Sequence, residues 1–357
     1  MPQADRQRTA RRVGIRDVAE RAGVSTATVS LVLRDRPGPS EASRDAVQRA
    51  AAELGYRPDR AASLLARRDS RLLGVVLDVR SSFHGELVVA LDEAAAERGL
   101  DLLLSSVTPR HGERHAIETL LDSRCLGIAL LGTTRKPAEL ARIAESCPTV
   151  VVGRLGTGRV VGVRADDLLG MQLAVGHLAD LGHEGIAHVD GGSGAIATGR
   201  RRGYRDAMRT RGLAGRAIVL PGGPTETDGF IAGGRIGDLV ARGTGPTAVV
   251  AFNDRCATGV REALVRNGIS VPAQVSMVGY DDSPLAALAT MDLTSVSQDP
   301  AALAEGVVDA LLAVATGTSR VPDVVVDPRL VVRSSTTAPL RPQSRRLGGS
   351  PPASASS

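Results

Sequence analysis

The chain has 357 residues, of which 43% are hydrophobic and 2% aromatic, with no Trp; this is enough for two or three domains whose cores are packed with Ala, Val, Leu and Ile. No apolar run approaches the roughly 18 residues that a membrane-spanning helix needs, and the polar, basic start from Met1 to Arg12 lacks the apolar middle of a secretory signal, so a cytoplasmic protein is expected. The net charge of +5 sits in the first fifth of the chain, where residues 1–70 hold 14 Arg against 9 Asp and Glu, while the remainder balances 30 basic against 30 acidic residues.

A basic module on a neutral body is the electrostatic pattern of a nucleic-acid binder. Surplus Arg on a solvated arm gives the same arithmetic, so charge alone does not decide. Cys125, Cys147 and Cys256 lie far apart without metal-ligand spacing and read as small core residues in a reducing compartment.

In chain order, residues 1–12 are expected to be a disordered polar arm, 13–57 three short helices, and 58–70 a small linking segment rich in Ala, Leu and Arg. From Leu72 the pattern becomes short apolar runs alternating with amphipathic stretches. Runs at Leu72–Val79, Gly127–Leu131, Val150–Val152, Ile186–Val189, Ala248–Phe252 and Val275–Val278 read as strands. Glu86–Arg98, Leu168–Leu181, Gly203–Arg211 and Arg255–Asn267 read as helices, followed by Gly99, Gly182, Gly212 and Gly268 where a left-handed cap wants glycine. Alternating strands and helices predict parallel sheets covered on both faces. Residues 71–340 are long for one sheet and comfortable for two. The tail, residues 341–357, has no periodicity and is expected to be disordered.

Residues 15–22 carry apolar side chains at helical spacing, and Gly23 breaks that helix where a tight turn is needed. Val24 plugs the turn and Ser25 is a good N-cap for the next helix. That helix turns Val29, Val32 and Leu33 inward and leaves Thr26, Ala27, Ser30 and Leu31 facing out. Two short helices joined by a glycine turn form a helix-turn-helix unit, whose second helix enters the major groove by its N-terminal end. An ordinary small helical bundle is the alternative. A third helix is capped by Ser40, ended by Gly55, and lined inside by Ala46, Ala50 and Leu54.

Asp17-Val18-Ala19, Ala22-Gly23-Val24-Ser25 and Ala27-Thr28-Val29-Ser30, then Pro37 and Leu54-Gly55-Tyr56-Arg57-Pro58, resemble the signature of the LacI/GalR repressor family in order and spacing. The resemblance runs on to about Arg333. It implies a small all-α helix-turn-helix head plus an α/β periplasmic-binding-protein-like body of two doubly wound subdomains. It also implies that Arg16, Ser25, Thr26, Ala27, Thr28, Ser30, Leu31, Arg34 and Tyr56 face DNA. Residues 59–68 resemble the family's hinge helix, with Ala62 as the small residue of close approach and Leu65 as a minor-groove wedge. Arg67 and Arg68 are in reach of phosphates. The other reading of the segment is a plain linker anchored by Leu64 and Leu65. Leu31 and Ala27 depart from the polar base-readers of many relatives and favour contact with thymine methyls.

The body resembles the family's effector domain, with ligand held in a cleft between subdomains. Leu73-Gly74-Val75-Val76, Asp166-Asp167, His177-Leu178, Gly182-His183, Ala251-Phe252-Asn253-Asp254, Val278-Gly279-Tyr280-Asp281-Asp282 and Thr294-Ser295-Val296 with Gln298 carry that likeness. By resemblance, Arg200, Asn253 and Asp281 hydrogen-bond ligand hydroxyls beyond the carboxyl ends of strands, while Phe83 and Phe230 are candidate ring platforms. Asn253 with Asp254 also reads as a helix N-cap pair, Asp281 as a turn cap, and Arg200 with Arg201 and Arg202 as a solvated cluster.

No nucleophile motif, paired-carboxylate signature, catalytic residue or metal site is legible, and no cofactor is expected. Gly191-Gly192-Ser193-Gly194 lacks the Lys-Ser/Thr of a phosphate-binding loop. The expectation is a homodimeric regulator that binds double-stranded operator DNA and answers to a small-molecule effector, a sugar or related polyol. The rivals are a regulator controlled by a partner protein, a solute-binding protein and an α/β enzyme.

Overall fold

The computed structural model describes residues 13–33, 36–56, 70–318 and 320–340. The expectations for the arm 1–12, Arg34, the hinge with Ala62, Leu65, Arg67 and Arg68, and the tail 341–357 lie outside the described residues. The chain divides between Ser70 and Arg71 into two units.

In the first unit, α1 (Ile15–Ala22), α2 (Thr26–Leu33) and α3 (Glu41–Glu53) pack around Val18, Ala19, Val29, Val32, Val47 and Ala50. The inner stripe of α3 runs through Val47 and Ala50, with Leu54 partly buried; Ala46 lies on its flank, because the larger Val47 takes the central place. Gly23 holds φ 67° and ψ 31°, a left-handed conformation that costs other residues roughly 1–2 kcal/mol. Its amide bonds the Glu20 carbonyl and that of Val24 bonds the Ala19 carbonyl, so α1 stops there and the chain turns into α2.

The second unit opens with β1 (Leu72–Asp78), α4 (Ser82–Glu97), β2 (Asp101–Val107), α5 (Glu113–Asp122), β3 (Gly127–Leu131), α6 (Pro137–Ser146), β4 (Thr149–Val152) and β5 (Val161–Ala165). The chain then crosses into a second subdomain through α7 (Asp167–Asp180), β6 (Ile186–Val189), α8 (Ala195–Thr210), β7 (Ile218–Leu220), α9 (Glu226–Ala241), β8 (Ala248–Val250), α10 (Asp254–Arg266), β9 (Ser276–Asp281) and β10 (Thr294–Ser297). It returns with α11 (Pro300–Ala315) and β11 (Val324–Val326), and crosses again to β12 (Arg329–Val331).

The strand orders are β2-β1-β3-β4-β5-β11 and β7-β6-β8-β9-β10-β12. Every strand pair is parallel except β10 with β12. Both sheets are doubly wound, with a switch in strand order beside β1 or β6. Crevices open there at the carboxyl ends of the strands, and ligands of such sheets lie in them. The central strands are apolar and buried, as parallel strands with both faces covered must be; β3 is buried along its whole length. Helix α8 starts well before the Gly203–Arg211 stretch that the apolar pattern predicts. Its first half shows little apolar period because Arg200 is buried as a paired cation and Gly203 touches α7 directly.

Candidate effector cleft and nucleic-acid interface

The head presents α2 through a cap and an exposed face. The Ser25 hydroxyl accepts the Thr28 amide at 3.1 Å and lies 2.9 Å from the Thr28 hydroxyl. This satisfies one of the amides that a helix start leaves unpaired. Val29 and Val32 are buried, whereas Thr26 and Ala27 are exposed and Leu31 is 40% exposed. Thr28 and Ser30 are half-buried at its edges. Arg16 projects outward from α1. Tyr56 packs its ring against the head core, and its amide bonds the Ala51 carbonyl at 2.9 Å. Leu31 is therefore a large apolar side chain held outward on the second half of a capped helix.

In the body, a cavity of about 410 Å³ lies where the two sheets point their carboxyl ends at each other. Gly132 and Thr133 follow β3, Gly153 and Arg154 follow β4, Gly191 and Ser193 follow β6, and Phe252 follows β8; all of them line it. Ala195, Ile196 and Ala197, the first turn of α8, complete one wall.

Arg200 and Asp281 stand one layer behind that wall. Arg200 is almost wholly buried. Its Nε donates to Asp167 Oδ1 at 3.1 Å, its Nη1 to the Phe252 carbonyl at 2.6 Å, and its Nη2 lies 3.6 Å from Asp281 Oδ1. The guanidinium is 3.6 Å from the Tyr280 ring centroid and 4.9 Å from that of Phe252. The Tyr280 hydroxyl bonds Asp167 at 3.3 Å. Gly170 makes room for it, since a Cβ there would lie 2.2 Å from that oxygen. Burial pushes the Asp281 carboxyl up to about 7, against the pull of Arg200 and the Gln298 amide, which donates to it at 2.7 Å. Asp281 and Asp282 hold φ of 104° and 51°. A non-glycine residue held there is backbone strain, the kind that collects at ligand-binding and switch regions.

The site residues expected from sequence separate on this geometry. Arg200 reaches in from α8 rather than from a strand end, and only Arg202 of its run is mainly solvated, since Arg201 pairs with Asp190. Asp281 ends β9 and lies against Arg200. Asn253 caps α10: its Oδ1 accepts the Cys256 amide at 2.8 Å and its Nδ2 donates to the Pro224 carbonyl at 3.2 Å. Asp254 is a buried partner of Ser283 and Ser295.

Phe83 is half-buried against the first subdomain's core and is not among the residues lining the cavity. Phe230 lies 38% exposed on α9 beneath Arg266, also apart from the lining. Its neighbours Gly229 and Gly233 pack on α10, which turns Phe230 outward. The aromatic that does line the cavity is Phe252, whose place directly after β8 was the signal available for it. Arg154 and Thr133, which also line the cavity, likewise follow strands.

Residues 14–59 match the model of the lacI family of bacterial regulatory proteins, and residues 175–336 match that of the periplasmic binding protein-like domain. The HTH-type transcriptional regulator GalR of Salmonella typhimurium (strain SL1344) is 36% identical over 335 residues, spanning 91% of this chain and 96% of that protein. The chain belongs to the LacI family. Among solved structures, the lac repressor dimer bound to operator and the anti-inducer ONPF is similar with a TM-score of 0.77 and 28% identity, over 92% of this chain and 100% of that one. The transcriptional regulator CelR–cellobiose complex is similar with a TM-score of 0.65 and 29% identity, over 91% of this chain and 100% of that one. This LacI-family chain is accordingly a DNA-binding transcriptional regulator built from a helix-turn-helix head and a periplasmic-binding-protein-like body. None of its described helices is long and apolar enough to cross a membrane.

Proposed function

We propose that this protein works in the cytoplasm as a homodimeric repressor, reading one operator half-site with each α2, and that a sugar-like effector in the cleft sets its operator affinity. The single observation that carries this reading is the cavity between the carboxyl ends of two doubly wound sheets, walled by residues from both subdomains. A ligand there touches both subdomains at once, so it binds their alternative arrangements unequally, as any effector must to shift an equilibrium. The solved relatives bound to an anti-inducer and to cellobiose support the ligand class, and the operator-bound dimer supports the assembly.

In this reading Ser25, Thr26, Ala27, Thr28, Ser30 and Leu31 form the base-reading edge, with Arg16 on the phosphates. Phe252 is the ring against which ligand rests. Arg200 and Asp281 hold the Phe252 carbonyl and the cleft floor in place, and Asn253 acts as a cap. Ala62, Leu65, Arg67 and Arg68 belong to the hinge that reports cleft closure to the head. The experiment selects operator duplexes with the full chain, then follows the affinity of the selected duplex by fluorescence anisotropy during a titration of sugars. A sugar that changes operator affinity supports the reading. Selection that returns no preferred duplex would remove the repressor assignment.

A further inference from the structure

The two subdomains touch on both sides of the cavity. On one side Gly153, after β4, faces Ile196 in the first turn of α8; a Cβ on Gly153 would lie 2.8 Å from Ile196 Cδ1. On the other side Arg255, in the first turn of α10, donates through Nη1 to the carbonyl of Arg80, which follows β1. In the first sheet β3 lies between β1 and β4, and Gly132 and Thr133 at its end line the cavity. The two contacts differ in kind. Ile196 presents an apolar side chain to a glycine, whereas Arg255 makes a directed, charge-assisted bond.

The Arg255 guanidinium is aimed by its own subdomain. Asn253 caps α10 and Asp254 is fixed by Ser283 and Ser295, which pins the first turn of the helix. Helix α9 packs closely on α10, where a Cβ on Gly259 would lie 1.9 Å from the Glu226 carbonyl and one on Gly229 2.0 Å from that of Cys256. This approach sets Glu226 beside Arg255, and the carboxylate accepts Nε at 2.7 Å and Nη2 at 2.5 Å. The fork leaves Nη1 for the opposite subdomain. There the Arg80 side chain is turned back on Asp78, donating through Nε at 3.1 Å and Nη2 at 2.8 Å. Each arginine thus brings its own carboxylate, and the bond that joins the subdomains runs from one side chain to one backbone carbonyl.

The position of this bond gives it leverage. The chain crosses between subdomains after β5, after β10 and between β11 and β12. In the first sheet β4 adjoins β5, while β1 lies three strand spacings from it, about 14 Å at the usual spacing. A rotation about the crossings therefore opens the gap further beside β1, where Arg255 acts, than beside β4.

We propose that Arg255, held by Glu226, is a latch across the cleft: its bond to the Arg80 carbonyl holds the two subdomains together independently of any effector, and so sets how far an effector has to shift them. It is a positioning residue, since Arg255, Glu226 and Arg80 are not among the residues lining the cavity. The inference goes beyond the proposed function, because closure of the subdomains is measurable without effector or DNA.

The test is pulsed electron paramagnetic resonance on the full chain without ligand. Nitroxides are placed at Lys136→Cys and Thr198→Cys on a Cys125→Ser background, and the sample is diluted with unlabelled protein so that distances within one subunit are read. Both labelled positions are exposed, one before α6 and one near the start of α8, on opposite sides of the cleft; Cys147 and Cys256 are buried. Arg255→Ala is expected to move population from a short distance to a longer one, with the closed-to-open ratio falling at least about tenfold, the scale of one charge-assisted hydrogen bond. Glu226→Gln is expected to move it the same way by less, and it decides the matter if urea unfolding shows Arg255→Ala to be misfolded. Arg80→Ala keeps the carbonyl and should leave the distances as in wild type. Unchanged distances in Arg255→Ala and Glu226→Gln would overturn the latch, and so would equal opening in Arg80→Ala. Opening that leaves operator affinity unchanged would uphold the latch and count against the proposed coupling of cleft to head.

Discussion

The Arg200 guanidinium lies 3.6 Å from the centroid of the Tyr280 ring, sealed inside the second subdomain and facing two carboxylates. Arg200→Ala leaves Asp167 and Asp281 without their cation in a dry site, a loss of about 3–5 kcal/mol for a buried pair. Arg200→Lys is expected to recover little, because a lysine supplies neither the planar stack nor the fork that joins Asp167, Asp281 and the Phe252 carbonyl. Urea unfolding of the full chain measures this. A loss below about 1 kcal/mol for Arg200→Ala would show that the cluster relaxes around the gap.

The Ser25 cap gives a second prediction, confined to the head. Ser25→Ala removes the acceptor of the Thr28 amide and should destabilise the helix-turn-helix by about 1 kcal/mol, with Ser25→Asp largely retaining it. Hydrogen exchange at α1 to α3 reads the effect separately from the body. Equal protection in wild type and Ser25→Ala would contradict the role of the cap.

Leu31 separates recognition from stability. Its side chain is 40% exposed on α2, so Leu31→Ala should leave the head's melting nearly unchanged. Its operator affinity should fall by about 1 kcal/mol or more, and only for duplexes with thymine at the contacted step. Anisotropy with thymine-to-uracil substituted duplexes checks the methyl contact directly. Identical affinity for the two would contradict it.

His188 predicts a pH dependence. It is wholly buried on β6, its Nδ1 meets the Val250 carbonyl at 3.0 Å, and its Nε2 has no partner among the described residues. Burial pushes the imidazole down to about 4, from 6.5 in the open chain. The unfolded chain therefore takes up a proton that the folded one refuses. Stability from this residue is complete above about pH 6.5 and is lost progressively as pH falls towards 4. His188→Gln keeps a donor for Val250 and removes the titration, so the gap between its urea midpoint and that of wild type should change between pH 7 and pH 5. Parallel midpoints would contradict the assignment.

The sequence carried the architecture well, and the reasons are local. Gly23, Ser25 and Ser40 act through their own backbone neighbours, so the head is readable from spacing. Strands such as Ile186–Val189 are buried on both faces and show as unbroken apolar runs. The site was less legible because its members are fixed by tertiary contacts. Arg200, Arg201 and Arg202 are adjacent in sequence, yet one is buried against Tyr280, one pairs with Asp190 and one is mainly solvated. Asn253 and Phe252 are neighbours whose roles separate only when the helix begins: the Asn turns to cap α10 and the Phe turns to the cavity. Arg154 carries no local mark, and only the fold brings it to the cavity wall.

In the proposed function, occupancy of the cleft changes the grip of the head on DNA. The most direct measurement is the dissociation constant of the full chain for its selected operator, with the cleft empty and with it saturated by a ligand shown to bind there, in wild type and in Phe252→Ala. The expected result is a shift of about 5- to 150-fold in wild type, the usual range of allosteric coupling, and a much smaller one in Phe252→Ala at the same ligand concentration. A ligand that fills the wild-type cleft and leaves the operator constant unchanged would contradict it.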